Sequence, residues 1–220
     1  MVKITDKLNI IKNAKDDIKA SIEAKGVEVG NVSIEEYPSK INEIPSPDEE
    51  LVASFKSSID DTLGSNCTKL PEGITLIGQY AFYHCTNLAL TKLPDALTSI
   101  GYSAFYGCEK MAITEVPSGV TSIPYAGLRQ CRGITNLTLL GNINVIDNMA
   151  FAMCSNLSKF VMPNITKVPT LDNAQAFTGT PIKDGTGYIY VPDSLVESFK
   201  SATNWSTYAN QIKGLSEMEA

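Results

Sequence analysis

The stretch Leu97-Thr98-Ser99-Ile100-Gly101-Tyr102-Ser103-Ala104-Phe105-Tyr106-Gly107-Cys108 returns along the chain at a fixed step. Moving by 23 residues from Cys108 lands on Cys85, Cys131 and Cys154. The same step joins Ile77, Ile100, Ile123 and Ile146. It also joins Phe82, Phe105, Leu128 and Phe151, each preceded by a small residue: Ala81, Ala104, Gly127 and Ala150. Pro71, Pro94, Pro117 and Pro163 keep the phase with Leu140 in the vacant slot, while Leu88, Met111, Ile134 and Leu157 follow each cysteine by three. A unit this short cannot bury its apolar side alone, so it must stack on copies of itself. Equivalent residues then lie one above another, and each column becomes a ladder in a continuous core.

Within a coil, Leu88 to Leu93 and Leu97 to Ile100 read as strands joined by a turn at Pro94-Asp95, because Pro94 lacks the N–H a ladder needs. Tyr102 to Cys108 reads as a compact helical turn, with Ala104 permitting close passage and Phe105 filling the interior. Parallel strands on neighbouring coils should stand ~4.8 Å apart. The pattern departs at Gly127-Leu128, and near residues 164–180 the phase slips by three. There Ala176-Phe177-Thr178-Gly179-Thr180 reads as a last degenerate coil, 26 residues after Ala150-Phe151. Upstream, Phe55 to Asp60 with Cys67 to Leu70 reads as an irregular first coil.

These units resemble the BspA-like, or treponemal-type, leucine-rich repeat over about residues 51–191. The resemblance implies an α/β fold: a slightly curved leucine-rich-repeat solenoid of ~23-residue coils, used by microbial surface and phage proteins for binding and carrying no catalytic residues. An open stack exposes apolar ends and needs caps. Residues 192–220 read as a helical C-terminal cap. After the strand Tyr188-Ile189-Tyr190-Val191, Pro192 breaks the pairing and Asp193 is placed to N-cap a helix. That helix has Leu195, Val196, Phe199 and Ala202 on one face. Asn204 is placed to cap a second, with Trp205, Tyr208 and Ile212 together. Trp205 is either a ligand platform or core packing within the cap, and its place favours packing.

Residues 1–47 follow another period. Ile4, Leu8, Ile11, Ile18 and Ile22 lie at steps of three and four, with Lys15 on the seam, which predicts a helix ending at Gly26. A second short helix is expected over Pro38 to Ile44, with Ile34, Tyr37, Ile41 and Ile44 on one side. Pro45 to Glu50 reads as a linker, and the repeats as residues 48–191. Two helices so small cannot make a stable core alone. They are expected to pack on copies of themselves, on the repeats or on a partner, and the seam suits a small parallel bundle. Leu8 through Ile44, with Ile18-Lys19-Ala20-Ser21-Ile22-Glu23-Ala24-Lys25-Gly26 and Tyr37-Pro38-Ser39-Lys40-Ile41, resembles the N-terminal module of structural proteins from tailed phages and prophages of gut bacteria. This resemblance implies a virion protein (fibre, decoration or receptor-binding component) assembled in the host cytoplasm. It would be anchored or trimerised through Leu8, Ile11, Ile18, Ile22, Tyr37 and Ile41. The alternative is a bacterial surface or secreted adhesin. Met1 to Lys7 has no apolar h-region or cleavage site, so either the chain is used without Sec export or a leader was removed.

Composition narrows the function. Apolar residues at 43% and charged ones at 19% fit a globular chain, not a disordered one. A net charge of −6 without a Lys/Arg cluster argues against nucleic acid. No apolar run approaches the ~20 residues that would insert in a bilayer. His84 is the single histidine, and its side chain should diverge from that of Cys85. No nucleophile–base set, phosphate loop or metal cluster is present, so no catalytic, cofactor-binding or metal residue is assigned. The cysteine column falls within disulfide reach, yet a straight ladder does not converge on zinc, and buried free thiols are the expected state. Two surfaces remain. Tyr83 and Tyr106 share a column continued by Arg129, and Tyr102 and Tyr125 share another. These rings are either a surface for a host glycan or protein, or half-buried packing between coils. Cys67, Leu90 and Ile113 stack where the repeat is normally polar, with Thr91 and Thr114 in the usual inward slot. Either the strand bulges there, or an apolar stripe faces a partner.

Overall fold

The computed structural model describes Leu70 and residues 73–218. The expectations for the N-terminal helices, the linker, the irregular first coil and Cys67 fall outside the described residues. In chain order the strands are β1 Leu76–Ile77, β2 Ser99–Ile100, β3 Glu115–Val116, β4 Ser122–Ile123, β5 Asn136–Leu139, β6 Val145–Ile146, β7 Lys159–Val161, β8 Thr170–Leu171, β9 Tyr188–Val191 and β10 Ile212–Gly214. Helices α1 (Pro181–Asp184) and α2 (Val196–Ser201) are short.

All strand pairing among the described residues is parallel. The 23-residue step becomes register: Ile77 pairs with Ile100, Val116 with Leu139, and Ile123 with Ile146. The phase slip is not a uniform three residues: Ile146 pairs with Leu171, a step of 25, and Lys159 with Tyr188, a step of 29. Phe151 stacks on Phe177 at 5.3 Å, which places the degenerate coil where the sequence puts it. Two rows of strands result: β1-β2 with β4-β6-β8, and the five-stranded sheet β3-β5-β7-β9-β10. The two-residue strands are enough because each inserts one β-branched or leucine side chain into the core while its neighbour faces out. Hydroxyls reinforce the step, Thr98 donating to the Thr75 carbonyl at 2.9 Å.

The segment read as a helical turn is not helical. Ala81, Tyr83 and Cys85 donate within the coil to Gly78, Tyr80 and Phe82, whereas Tyr80, Phe82 and His84 donate to Tyr102, Ala104 and Tyr106 of the next coil. Alternate N–H groups are therefore taken by the neighbour, which a helix would not allow. Two left-handed residues per coil make this path. They form columns of their own: Tyr80, Ser103, Ala126 and Met149, and His84, Gly107, Gln130 and Met153, with φ between 49° and 77°. Such backbone costs about 1–2 kcal/mol per non-glycine residue, offset by the hydrogen bonds between coils.

The cysteine column is buried, and its four members, Cys85, Cys108, Cys131 and Cys154, are in no disulfide. It is more than apolar filler. Cys108 donates to the Phe82 carbonyl at 2.9 Å, Cys131 to Phe105 at 3.1 Å and Cys154 to Leu128 at 3.0 Å. Burial, with the neighbouring Cys154 and Cys108, pushes the Cys131 thiol well above its ordinary value, and burial pushes Cys154 up to about 12. Both stay protonated near neutral pH, which suppresses thiolate chemistry.

The stretch from Leu88 to Leu93, expected as a strand, forms none: it bends at Thr91 and keeps a single bridge residue, Lys92, so that its path bulges. In two coils the inward residues are Leu88, Leu90, Leu93 and Met111, Ile113, Val116; in the next two they are Ile134, Leu137, Leu139 and Leu157, Phe160, Met162. The extra residue thus shifts from after the second inward position to before it. Leu90 and Ile113 are 0% and 1% exposed, while Thr91 and Thr114 face solvent. Burying the larger apolar side chain outweighs keeping a regular pleat. The apolar stripe therefore does not form at Leu90 and Ile113.

After the last coil, Thr180 caps α1, accepting from the Lys183 N–H, with Pro181 in the first turn and left-handed Gly185 at its end. Asp193 caps no helix by its side chain. It opens a single 3₁₀ turn, Asp193–Leu195, and its carboxylate accepts from the Ser216 N–H and hydroxyl, which hold it below its ordinary value. Trp205 and Tyr208 lie in the 3₁₀ segment Trp205–Gln211, buried against Phe199 and Phe177. Trp205 Nε1 donates to the Pro169 carbonyl at 2.8 Å, and Tyr208 donates to Ala174. Trp205 is packing and no platform. Ile212 leaves the predicted helix and enters β10, extending the sheet beside β9.

Candidate functional site

The tyrosine columns stand on the alternating turns just described. Tyr102 and Tyr125 are parallel rings 4.7 Å apart at 11°, the geometry imposed when equivalent side chains on adjacent coils point the same way. Tyr83 and Tyr106 meet edge to face at 5.1 Å, and the Arg129 guanidinium lies 4.9 Å from the Tyr106 ring centre. His84 fills the angle between Tyr83 and Tyr106, with centroids 4.6 and 4.8 Å away.

The two columns are one surface. Tyr80 packs against both, 5.5 Å from Tyr83 and 5.5 Å from Tyr102. At the other end Met149 accepts from Arg129 at 3.3 Å and from the Tyr125 hydroxyl at 3.7 Å. Burial, then the neighbouring Tyr102 and Tyr83, raise the Tyr80 phenol above its ordinary value. Tyr80 and Tyr102 remain 37% and 39% exposed, whereas Tyr83, Tyr106, Tyr125 and Arg129 are half-buried. The rings thus pack between coils and still present an outer edge.

Arg129 has no carboxylate partner among the described residues, in contrast to Arg132, which pairs with Glu109 at 3.0 Å. Its Nε is buried without an acceptor, as is the Asn148 Oδ1 without a donor. A ring and a sulfur hold the guanidinium in place, and no carboxylate among the described residues neutralises its charge.

Tyr80 and Met149 escape a search for aromatic columns because their own column continues as Ser103 and Ala126. Their left-handed backbone is what turns them toward the neighbours. The signal available in the sequence was Tyr80 three residues before Tyr83, repeating the closeness of Tyr102 and Tyr106. Of the other assigned residues, Leu90 and Ile113 are core, and Cys67, Leu8, Ile11, Ile18, Ile22, Tyr37 and Ile41 lie outside the described residues. Among the described residues, no group of three or more His, Cys, Asp or Glu is placed to hold a metal ion, and no helix is long and apolar enough to cross a membrane.

The BspA type leucine rich repeat region matches residues 60–183 in six copies. Among solved structures, the Leucine Rich Repeat protein of T. pallidum is similar at 25% identity and a TM-score of 0.46, over 57% of this chain and 58% of that one. A leucine rich cell surface protein from Faecalibacterium prausnitzii A2-165 is similar at 26% identity and a TM-score of 0.47, over 64% of this chain and 34% of that one. The chain spans little more than half of the first and about a third of the second. No curated protein matches it.

Proposed function

The chain belongs to the BspA-type leucine-rich-repeat family, and from that membership we propose that it is a non-enzymatic binding protein that holds a host-surface glycan or protein on its joined tyrosine face. The observation that carries this reading is the fusion of Tyr83/Tyr106/Arg129 with Tyr102/Tyr125 through Tyr80 and Met149. Rings already fixed by their neighbours lose little freedom on binding, and tyrosine offers both a flat apolar face and a hydroxyl. The unneutralised Arg129 adds a charge for a polar group of the partner. Replacing Tyr106 and Arg129 together by alanine is expected to weaken binding to host envelope material by about a hundredfold or more, with the denaturation midpoint nearly unchanged. Full binding by a folded double variant would remove the face from the account, and loss of the fold would make these residues packing only.

The place of action follows from the resemblance of Leu8 through Ile44 to phage structural modules. On that basis the protein is a component of a tailed-phage virion, with residues 1–44 joining it to itself as a trimer or to another virion protein. A bacterial surface adhesin is the second reading, in keeping with the family. Light scattering is expected to find the full chain oligomeric and a chain starting at residue 48 monomeric. Mass spectrometry of purified virions is expected to detect only the full chain. A monomeric full chain whose truncated form still enters particles would end the anchor role. Recovery from the bacterial envelope in place of particles would establish the adhesin.

A further inference from the structure

We propose a second binding surface, built from residues other than those of the tyrosine columns: the outer face of β5, β7, β9 and β10, which takes a carboxylate-bearing polysaccharide. Register places Asn136, Lys159 and Tyr188 in one row across the strands and Glu115, Thr138, Val161, Tyr190 and Lys213 in the next, with Val161 and the Tyr190 ring largely buried and Glu115 at the end of the row away from Lys213. Phe160, Ile189 and Ile212 fill the core on the opposite side. The rows are cross-linked diagonally. Lys213 Nζ lies 3.9 Å from the centre of the Tyr188 ring, Lys159 Nζ lies 5.8 Å from that of Tyr190, and the two rings are 6.3 Å apart.

Neither lysine has an ion-pair partner among the described residues, although Lys92 and Lys200 each pair with a carboxylate three residues away. At the end of β10 the carboxylates of Glu217 and Asp193 are held by donors other than the two lysines: Glu217 accepts from the Gly214 N–H at 2.9 Å, and Asp193 accepts from Ser216. Two ammonium groups are thus fixed on ring faces with their charge open to a ligand. The chain carries a net charge of −6, so it does not draw anions in general, and this patch is a local exception.

The chemistry selects the ligand. The lysines cover faces of both rings, which leaves no apolar socket of the kind a hydrophobic peptide anchor fills. What remains is two cations, two phenol hydroxyls with no hydrogen-bond partner among the described residues, and the polar side chains of Asn136 and Thr138 in the same rows. A polymer of uronic acids matches that set, its carboxylates meeting the ammonium groups and its hydroxyls the phenols and the Asn136 amide.

Isothermal titration of the full-length protein at low ionic strength, with polygalacturonate, neutral dextran and poly-glutamate as probes, tests this. Polygalacturonate is expected to bind, with affinity falling as salt rises, and dextran is not. Lys159→Gln with Lys213→Gln should weaken polygalacturonate binding by about tenfold or more at an unchanged melting temperature. Lys213→Arg, which keeps the charge, and Lys92→Gln with Lys200→Gln, away from the patch, should retain it. Absence of polygalacturonate binding, its survival in the Lys159/Lys213 double variant, or equal binding of poly-glutamate would overturn the proposal. Because Tyr106 and Arg129 are untouched in these variants, the outcome is independent of the tyrosine face.

Discussion

Phe151→Ala is expected to destabilise the protein by about 3–5 kcal/mol, the largest loss for any single truncation in the repeats. Phe151 is fully buried and joins three parts of the core: it stacks on Phe177 at 5.3 Å, meets Phe160 edge to face at 5.0 Å, and through Phe177 touches Trp205 and Tyr208. Each coil is held only by its neighbours, so a void at this junction cannot be closed by collapse from elsewhere. The cost should appear as a shift in the urea midpoint. The matching change at Phe82, which is only partly buried, should cost less. Equal costs at the two positions would show that Phe151 is not the junction described.

Gly141→Ala should cost about 3 kcal/mol or more, although only one methyl group is added. A Cβ at this position would sit 2.1 Å from the Val120 carbonyl oxygen and 2.9 Å from that of Ser118, both main-chain atoms of the preceding coil. Neither can rotate away as a side chain would, so the coils would have to separate and lose the paired strands on either side. Chemical denaturation of Gly141→Ala against wild type checks this, and a loss below about 1 kcal/mol would mean the coils are not packed this closely.

Much of this arrangement is visible in the sequence because one number governs it. The columns of Cys85, Ile77 and Phe82 keep a 23-residue step, and the structure converts that step directly into register. The degenerate coil at Phe177 is legible for the same reason, since an aromatic after alanine marks the interior even when the spacing slips. Features that depend on backbone path are not legible. His84, Gln130 and Met153 occupy left-handed positions in which only Gly107 advertises the conformation. The bulge that buries Leu90 in place of Thr91 is a competition between two neighbouring side chains, and spacing alone does not decide it. Ile212 continues an apolar helical face in sequence, yet it pairs with Ile189 because the open edge of β9 offers hydrogen bonds that a short helix cannot match. The thiol donors were hidden for another reason: a cysteine column reads as apolar until the facing carbonyls are located.

The same division applies to the candidate site. The two tyrosine columns and Arg129 follow from periodicity, whereas Tyr80 and Met149, which join them, do not. Nor does the Lys159/Tyr188/Tyr190/Lys213 patch, because Lys159 and Tyr188 come into register only through the slip between β7 and β9.

Side-chain footprinting of the full-length protein by hydroxyl radicals, with and without host envelope material, tests the central claim most directly. Tyrosine and methionine side chains report their own accessibility, so the partner's contact is read at the residues in question. Binding through the tyrosine face predicts that oxidation falls at Tyr80, Tyr83, Tyr102, Tyr106, Tyr125 and Met149, with Met218 at the far end unchanged. Unchanged oxidation of those tyrosines while the envelope material is bound would contradict the account.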